Sequence, residues 1–405
     1  MVVYRALDED QRSSFSEYTS YAFSPESGPG KYELDEDDFG RMEMGSLRGV
    51  FDEGEPSDTD PLCVCRHYWL EAVVRGEWHP TAGLAAIATP PEHRRSGYVA
   101  GLLSASLEEY CSRGERFALL WPFRYRFYRR FGWETCAHHY SYQCDPSALS
   151  FARAIINDKG TFRQLEANDY GLIEPVYGAY ADRYSLSLGR DEDWWRHRIF
   201  STWGTDPYAY VWEREGVPRG YLFYSIQGDW GDRTFQVHDL AFHDHEALMA
   251  LLAFCSNHDS QAEKVQFELP TDVEIIDLSN DPEKFECELG AGVMARIVNV
   301  TPTLEALDYP AVDEEVTLSV EDSLADWNNE TFRLVVHDGE ATCEALSSGT
   351  DADLTLDIAT LTQLVVGFHS VWDLYRQNRL HASVTVVEAL DRLFPRESAY
   401  LGTRF

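Results

Sequence analysis

A strand that stops on paired prolines and re-enters as a long amphipathic helix constrains this chain more than any other feature. Residues 87–99 read I-A-T-P-P-E-H-R-R-S-G-Y-V. The apolar run Gly83–Thr89 reads as a strand, and Pro90 and Pro91 end it, since proline cannot donate to a sheet ladder. Val99, Leu102, Leu103, Leu107, Tyr110 and Cys111 then recur at helical steps, with Gly114 as the stop. Leu62–Val74 reads as a preceding strand and Phe117–Trp121 as a following one. Strand, tight turn, helix and strand in that order describe a crossover unit, and hence a mixed α/β domain.

The turn carries chemistry as well as topology. A helix start leaves backbone N–H groups free and holds partial positive charge, which suits a pyrophosphate. Gly97 lets backbone approach phosphate without an intervening side chain, and Arg94 and Arg95 add charge-assisted donors. His93 is assigned a structural role, because a proton shuttle there would face the phosphates. On these residues alone, a plain strand–helix turn with solvated arginines stays open as the alternative.

Charge narrows the partners. The 405 residues hold 34 basic and 69 acidic side chains, a net charge of −35. Such a field repels phosphate backbones, so nucleic acid is not an expected partner. Scarce lysine and dispersed acids fit a halophilic surface, where salt screens mutual repulsion; a field that gathers cationic substrates is the second reading. Met1–Phe15 lacks a targeting pattern, and no apolar run is long enough to span a membrane, so a cytoplasmic protein without a membrane partner is expected. Eight cysteines in this length do not make a disulfide scaffold, and Cys63-x-Cys65 has no second pair at metal spacing, so no metal is expected.

At about 150 residues per domain the length allows two or three domains. Residues 1–150 form the first, with 17–60 reading as loop-rich and acidic. Residues 151–295 repeat its order: a helical stretch Asp193–Trp203, strands Tyr208–Arg214 and Gly220–Ile226, then Val237–Phe242 leading into helix Glu246–Cys255. The turn before that helix, F-H-D-H-E-A-L, has no glycine or arginine. Residues 296–405 form the third, with strands Phe332–Asp338 and Asp353–Ile358 and helices Thr360–Ser370 and Val384–Phe394.

Thirty residues past the turn comes Tyr128-Arg129-Arg130-Phe131-Gly132-Trp133. With Arg94-Arg95-Ser96-Gly97-Tyr98-Val99 it resembles the GCN5-related N-acetyltransferase (GNAT) superfamily, whose patterns are R/Q-x-x-G-x-G/A and Y-x-x-F-G-[FYW]. The P-x-H-R-R-x-G turn, a glycine-poor second domain and a third domain carrying Ala352-Asp353-Leu354-Thr355-Leu356 and Leu364-Val365-Val366-Gly367 resemble the enhanced intracellular survival (Eis) type, with a sterol-carrier-protein-like end domain. The implied fold is α/β (α+β): two tandem GNAT-like mixed-sheet domains, then a sterol-carrier-like one.

The resemblance implies an acetyl-CoA-dependent N-acetyltransferase acting on a primary amine of a small molecule or a peptide lysine. Ile87, Ala88 and Thr89 would lie along the pantetheine arm, and Arg94, Arg95, Ser96, Gly97, Tyr98 and Val99 on the pyrophosphate. Tyr128 would give a proton to the departing sulfur, since a phenol near pKa ~10 keeps its proton at neutral pH. Phe405 would place its α-carboxylate as base toward the amine, and Phe23 would wall the acceptor pocket. Arg404 stands where relatives often carry an acid, and Phe123 and Arg124 imply a tight, less anionic cleft. One acetyl-CoA per chain is expected, with no metal. A homo-oligomer, such as a hexamer, is expected from relatives. Trp194, Trp195 and Trp203 read equally as interface or core. The alternative functions are a lipid or sterol carrier, or a pseudoenzyme, with a decayed acetyltransferase domain attached.

Overall fold

The first sheet contains β1 (Val2–Ala6), β2 (Ser46–Asp52), β3 (Cys63–Val74), β4 (Glu77–Ala88), β5 (Phe117–Leu120) and β6 (Glu134–Thr135). A distant strand, Met294–Ile297, inserts between β5 and β6. Strands β3 and β4 are joined by a tight hairpin in which Arg75 and Gly76 both have positive φ, 53° and 78°, the turn whose twist matches the flanking strands. β4 and β5 run parallel, and helix Tyr98–Arg113 makes the crossover between them. The computed structural model describes all residues except 1, 29–35, 55, 57–58, 157–158, 203–204 and 348.

The helix Tyr98–Arg113 buries Leu102, Leu103, Leu107 and Tyr110, each 0% exposed, against this sheet. Fully burying such side chains stabilises by roughly 1.5–3 kcal/mol each. Residues 17–60, expected as loop-rich, hold the end of helix Arg12–Phe23, helix Glu36–Glu43 and β2. The S-L-R-G-V-F-D run of β2 has no clean alternation of its own; it becomes a strand by pairing with β1 on one side and β3 on the other.

A polar network crosses the interior of this sheet. His67 is 0% exposed; its ring nitrogens meet the hydroxyls of Tyr110 at 2.6 Å and Tyr4 at 2.7 Å. The Tyr4 hydroxyl donates to Glu109, which is held by Arg48. Burial drives the His67 pKa down to about 3. Folded His67 therefore stays neutral while the unfolded chain takes up a proton below its ordinary value of about 6.5. Above that value the two states do not differ; below it, stability falls by about 1.4 kcal/mol per pH unit, down to about pH 3. Between pH 6.5 and 5 this group should cost about 2 kcal/mol. In denaturant titrations His67→Gln should be less stable at pH 7 but lose less of its stability between those pH values. An unchanged pH slope would refute the assignment.

The third sheet runs Glu340–Ala345, Thr331–His337, Glu314–Glu321, Leu354–Asp357, Leu380–Ala382. It belongs to the same compact unit as the first: Met1–Cys136, Val293–Glu397 and Phe405. Helix Ile358–Val365, buried at every residue, packs on strand Met294–Ile297, and the Ile297 amide donates to Thr362 Oγ1 at 3.0 Å. Buried Arg75, in the β3–β4 hairpin, donates to the carbonyls of Leu364, Val365 and Pro395.

The second unit comprises Ala137–Gly292 and Ser398–Arg404. Its sheet runs Phe285–Ala291, His138–Cys144, Lys264–Pro270, Thr234–Phe242, Val217–Gln227, Tyr208–Arg214, Thr161–Gln164. Helix His245–Ser256 joins the two parallel strands, Thr234–Phe242 and Lys264–Pro270. The expected helix at 193–203 is one α-turn, Glu192–Trp194, continuing as a π-turn, Trp195–Ile199. Trp194 and Trp195 are 3% and 0% exposed, so both are core side chains of this unit; Trp203 lies outside the described residues.

Candidate functional site

Strand β4 outlasts its partner. It pairs with β5 only through Thr81, Ala82 and Gly83, opposite Phe117, Ala118 and Leu119. Among the described residues, Leu84–Ala88 have no strand on that side, although β3 still pairs with Leu84, Ala85 and Ala88 on the other. A bulge falls here, with Ala86 at φ 50°. The edge past Gly83 thus offers backbone donors and acceptors to an extended ligand. At its end, the Thr89 hydroxyl oxygen is buried without a hydrogen-bond partner. Ile87 is half-buried against the core and Ala88 is 2% exposed.

The turn beyond is exposed from Arg94 to Gly97. Two residues there are left-handed, Arg95 at φ 64° and Gly97 at φ 86°. A side chain at Gly97 would meet no atom within 4 Å, so the backbone conformation, not crowding, demands glycine. Gly97 is the N-cap of helix Tyr98–Arg113, and no side chain caps it. Among the described residues, the amides of Arg95 through Val99 find no backbone acceptor. Arg94 folds back: its Nε donates to the Thr89 carbonyl at 3.1 Å, and its guanidinium lies 5.1 Å from the Tyr21 ring. The His93 ring meets Tyr98 edge-on at 6.2 Å, a packing role. Free amides, a helix start and two arginines are the groups from which an anion site is built.

The second unit contradicts that chemistry at the matching place. Helix His245–Ser256 is capped by Asp244, whose carboxylate accepts from the Ala247 amide at 2.9 Å and pairs with Arg219. The amide is satisfied and a negative charge already sits there, so a phosphate would be repelled.

Tyr128 lies in the short helix Tyr125–Arg129 and is 3% exposed. Phe127 and the exposed Phe123 meet its ring edge-on at 5.1 and 5.5 Å. Burial first, then the neighbouring Cys65, pushes its hydroxyl pKa upward, so the proton is held firmly. The Phe405 ring packs edge-on to Tyr68 at 5.9 Å. A Cβ at Gly83 would come within 2.9 Å of that ring, so Gly83 makes the room. Phe405 therefore lies where β4 parts from β5. Phe23 ends helix Arg12–Phe23 with 60% of its surface exposed. Gly83 and Tyr68 carried no signal in the sequence, because only the folded register brings them to Phe405.

Comparison with known proteins bears on the family and the fold. A model of the acetyltransferase (GNAT) domain matches residues 3–136, and a second so described matches 186–297; together they span more than half the chain. A sterol carrier protein domain model matches 300–402. An uncharacterized N-acetyltransferase of Streptomyces griseus is 26% identical over 392 residues, 91% of this chain and 90% of its own. A conserved Enterococcus faecalis protein of unknown function, described as a probable N-acyltransferase, superposes with TM-score 0.86 at 21% identity over the full length of both chains. Eis1 from Mycobacterium abscessus superposes with TM-score 0.78 at 24% identity, also over both full lengths. These structures share the fold. The chain belongs to the GNAT acetyltransferases: it is an N-acetyltransferase with two such domains ahead of a sterol carrier protein domain.

Proposed function

We propose that the chain uses acetyl-CoA to acetylate a primary amine, of a small molecule or a peptide lysine, by direct attack. The observation that carries this is the open edge of β4 running into an uncapped, arginine-flanked helix start. Acetyl-CoA supplies an activated thioester carbonyl. The backbone of Ile87 and Thr89 receives the pantetheine amides, with the unpartnered Thr89 hydroxyl as a further group. The amides of Arg95–Val99 and the two guanidinium groups take the pyrophosphate, while the Arg94 amide already donates to the Pro91 carbonyl. Tyr128 Oη holds the proton for the departing sulfur, and its raised pKa keeps it protonated across the working range. The α-carboxylate of Phe405 orients the ammonium and accepts its proton. An α-carboxyl has an ordinary pKa of about 3.5, so this base depends on desolvation or a bridging water.

Calorimetric titration with acetyl-CoA tests the reading. One molecule should bind per chain, because Asp244 occupies the second helix start. Arg94→Ala with Arg95→Ala should weaken binding about 30- to 150-fold, two charge-assisted contacts at about 1–1.5 kcal/mol each on an exposed turn. Release of free thiol with a panel of amines should follow. No heat, or two molecules per chain, would defeat the proposal.

A further inference from the structure

The residues around Tyr128 are held by residues of the sterol carrier protein domain, and every bond in question lies inside the first compact unit. Thr360 and Gln363 stand on helix Ile358–Val365, which is buried at every residue. Gln363 Nε2 donates to the Thr135 carbonyl of β6 at 2.6 Å. Its Oε1 accepts from Arg379 at 2.5 Å, and the same guanidinium donates to Thr360 Oγ1 at 3.0 Å. Arg379 in turn lies 3.9 Å from Glu134. Buried Glu134 accepts from the Thr135 amide at 2.8 Å, and Arg129 Nε reaches both its oxygens, at 2.8 and 3.1 Å. Arg129 closes the short helix Tyr125–Arg129 beside Tyr128. A continuous chain of polar and charged groups thus runs from a helix of the end domain to the residue next to the phenol.

A second hold acts on the residues that follow Tyr128. The Phe131 and Trp133 amides donate to the Tyr128 carbonyl at 2.9 and 3.4 Å. The Phe131 carbonyl accepts from buried Arg296, which pairs with Asp322 of the end domain. Asp322 is itself fixed: it accepts from Asn328 Nδ2 at 3.1 Å and from the Leu324 amide at 3.0 Å. A Cβ at Gly132 would come within 2.7 Å of Ile358 Cγ2, so the same helix also presses on this turn. The Tyr128 ring packs in the core of the first sheet, but the backbone that carries it is tied to groups beyond residues 3–136. A general acid serves only when its proton is in reach of the leaving atom, and a misplacement of about 1 Å can cost about 100-fold in rate.

We infer that the sterol carrier protein domain sets the position of the Tyr128 hydroxyl, with Arg379 as a positioning residue that acts through Glu134 and Arg129. This rests on the role proposed above for Tyr128.

The test uses the full chain with Arg379→Met, which keeps much of the side-chain bulk and removes the charge, alone and combined with Tyr128→Phe. Alone, it should lower kcat for acetyl transfer about 10- to 100-fold, with KM for acetyl-CoA unchanged. Added to Tyr128→Phe, it should lower kcat little further, because no phenol proton remains to be placed. Its deficit should also shrink with acetyl thioesters of low-pKa thiols, which a general structural loss would not cause. If Arg379→Met fails to fold, Arg129→Met, at the half-exposed far end of the same chain of bonds, should give the same three results. Native-like kcat, or an equal fold-loss with and without the Tyr128 hydroxyl, would overturn the positioning role and leave Tyr128 as the acid. If Tyr128→Phe is itself as fast as the native enzyme, the reading of Tyr128 fails and the positioning role fails with it.

Discussion

Tyr128→Phe should lower kcat for acetyl transfer by about 10²–10⁴-fold, the usual worth of a placed general acid. Binding of acetyl-CoA should change little, because the ring and its edge contacts with Phe123 and Phe127 remain. The pH dependence gives a second handle. Burial raises the Tyr128 pKa above its ordinary value, so this hydroxyl should not produce an alkaline decline in rate below about pH 10. Acetyl thioesters of low-pKa thiols offer a further check, since a better leaving sulfur needs less help and the variant's deficit should shrink with it. A variant as fast as the native enzyme with acetyl-CoA itself would remove Tyr128 from the mechanism.

Asp322→Ala should cost about 3–5 kcal/mol of stability, read by calorimetry or denaturant titration. Arg296 is 0% exposed in strand Met294–Ile297 and pairs with Asp322, itself 1% exposed at the side chain. The same guanidinium donates to the Phe131 carbonyl and lies 5.3 Å over Trp133. Removing the carboxylate leaves an uncompensated buried charge, which is costlier than losing both partners. Arg296→Met together with Asp322→Leu should therefore be milder than Asp322→Ala. Gly132 belongs to this arrangement: its φ is 82°, and a Cβ there would overlap the Arg296 guanidinium. The glycine of the Y-x-x-F-G-W run is thus explained by backbone conformation and by the arginine beside it.

The legible parts of the site are those built from neighbours in sequence. Pro90 and Pro91 end a strand, Gly97 turns the backbone left-handed, and the apolar steps from Val99 to Cys111 carry the helix. Each follows from local sterics and hydrogen bonding within a few residues, as does the contrast with Asp244, a helix cap in place of an anion site. The illegible parts depend on pairing. The alternation of a strand tells which face is buried but not which neighbour it takes. His138–Cys144 follows β6 in the chain yet pairs with Lys264–Pro270 and Phe285–Ala291, while Met294–Ile297 returns to β5 and β6.

The amino-acid order by itself determined the mixed α/β class, the crossover turn and the acetyltransferase resemblance, because each is written in short-range preferences of glycine, proline and apolar spacing. Tertiary structure alone decided that Phe405 rests on Gly83, and that Arg190 reaches Thr403 across 213 residues. Contacts at such separation are chosen by how sheets and buried charges satisfy one another in three dimensions, and no local pattern records that choice.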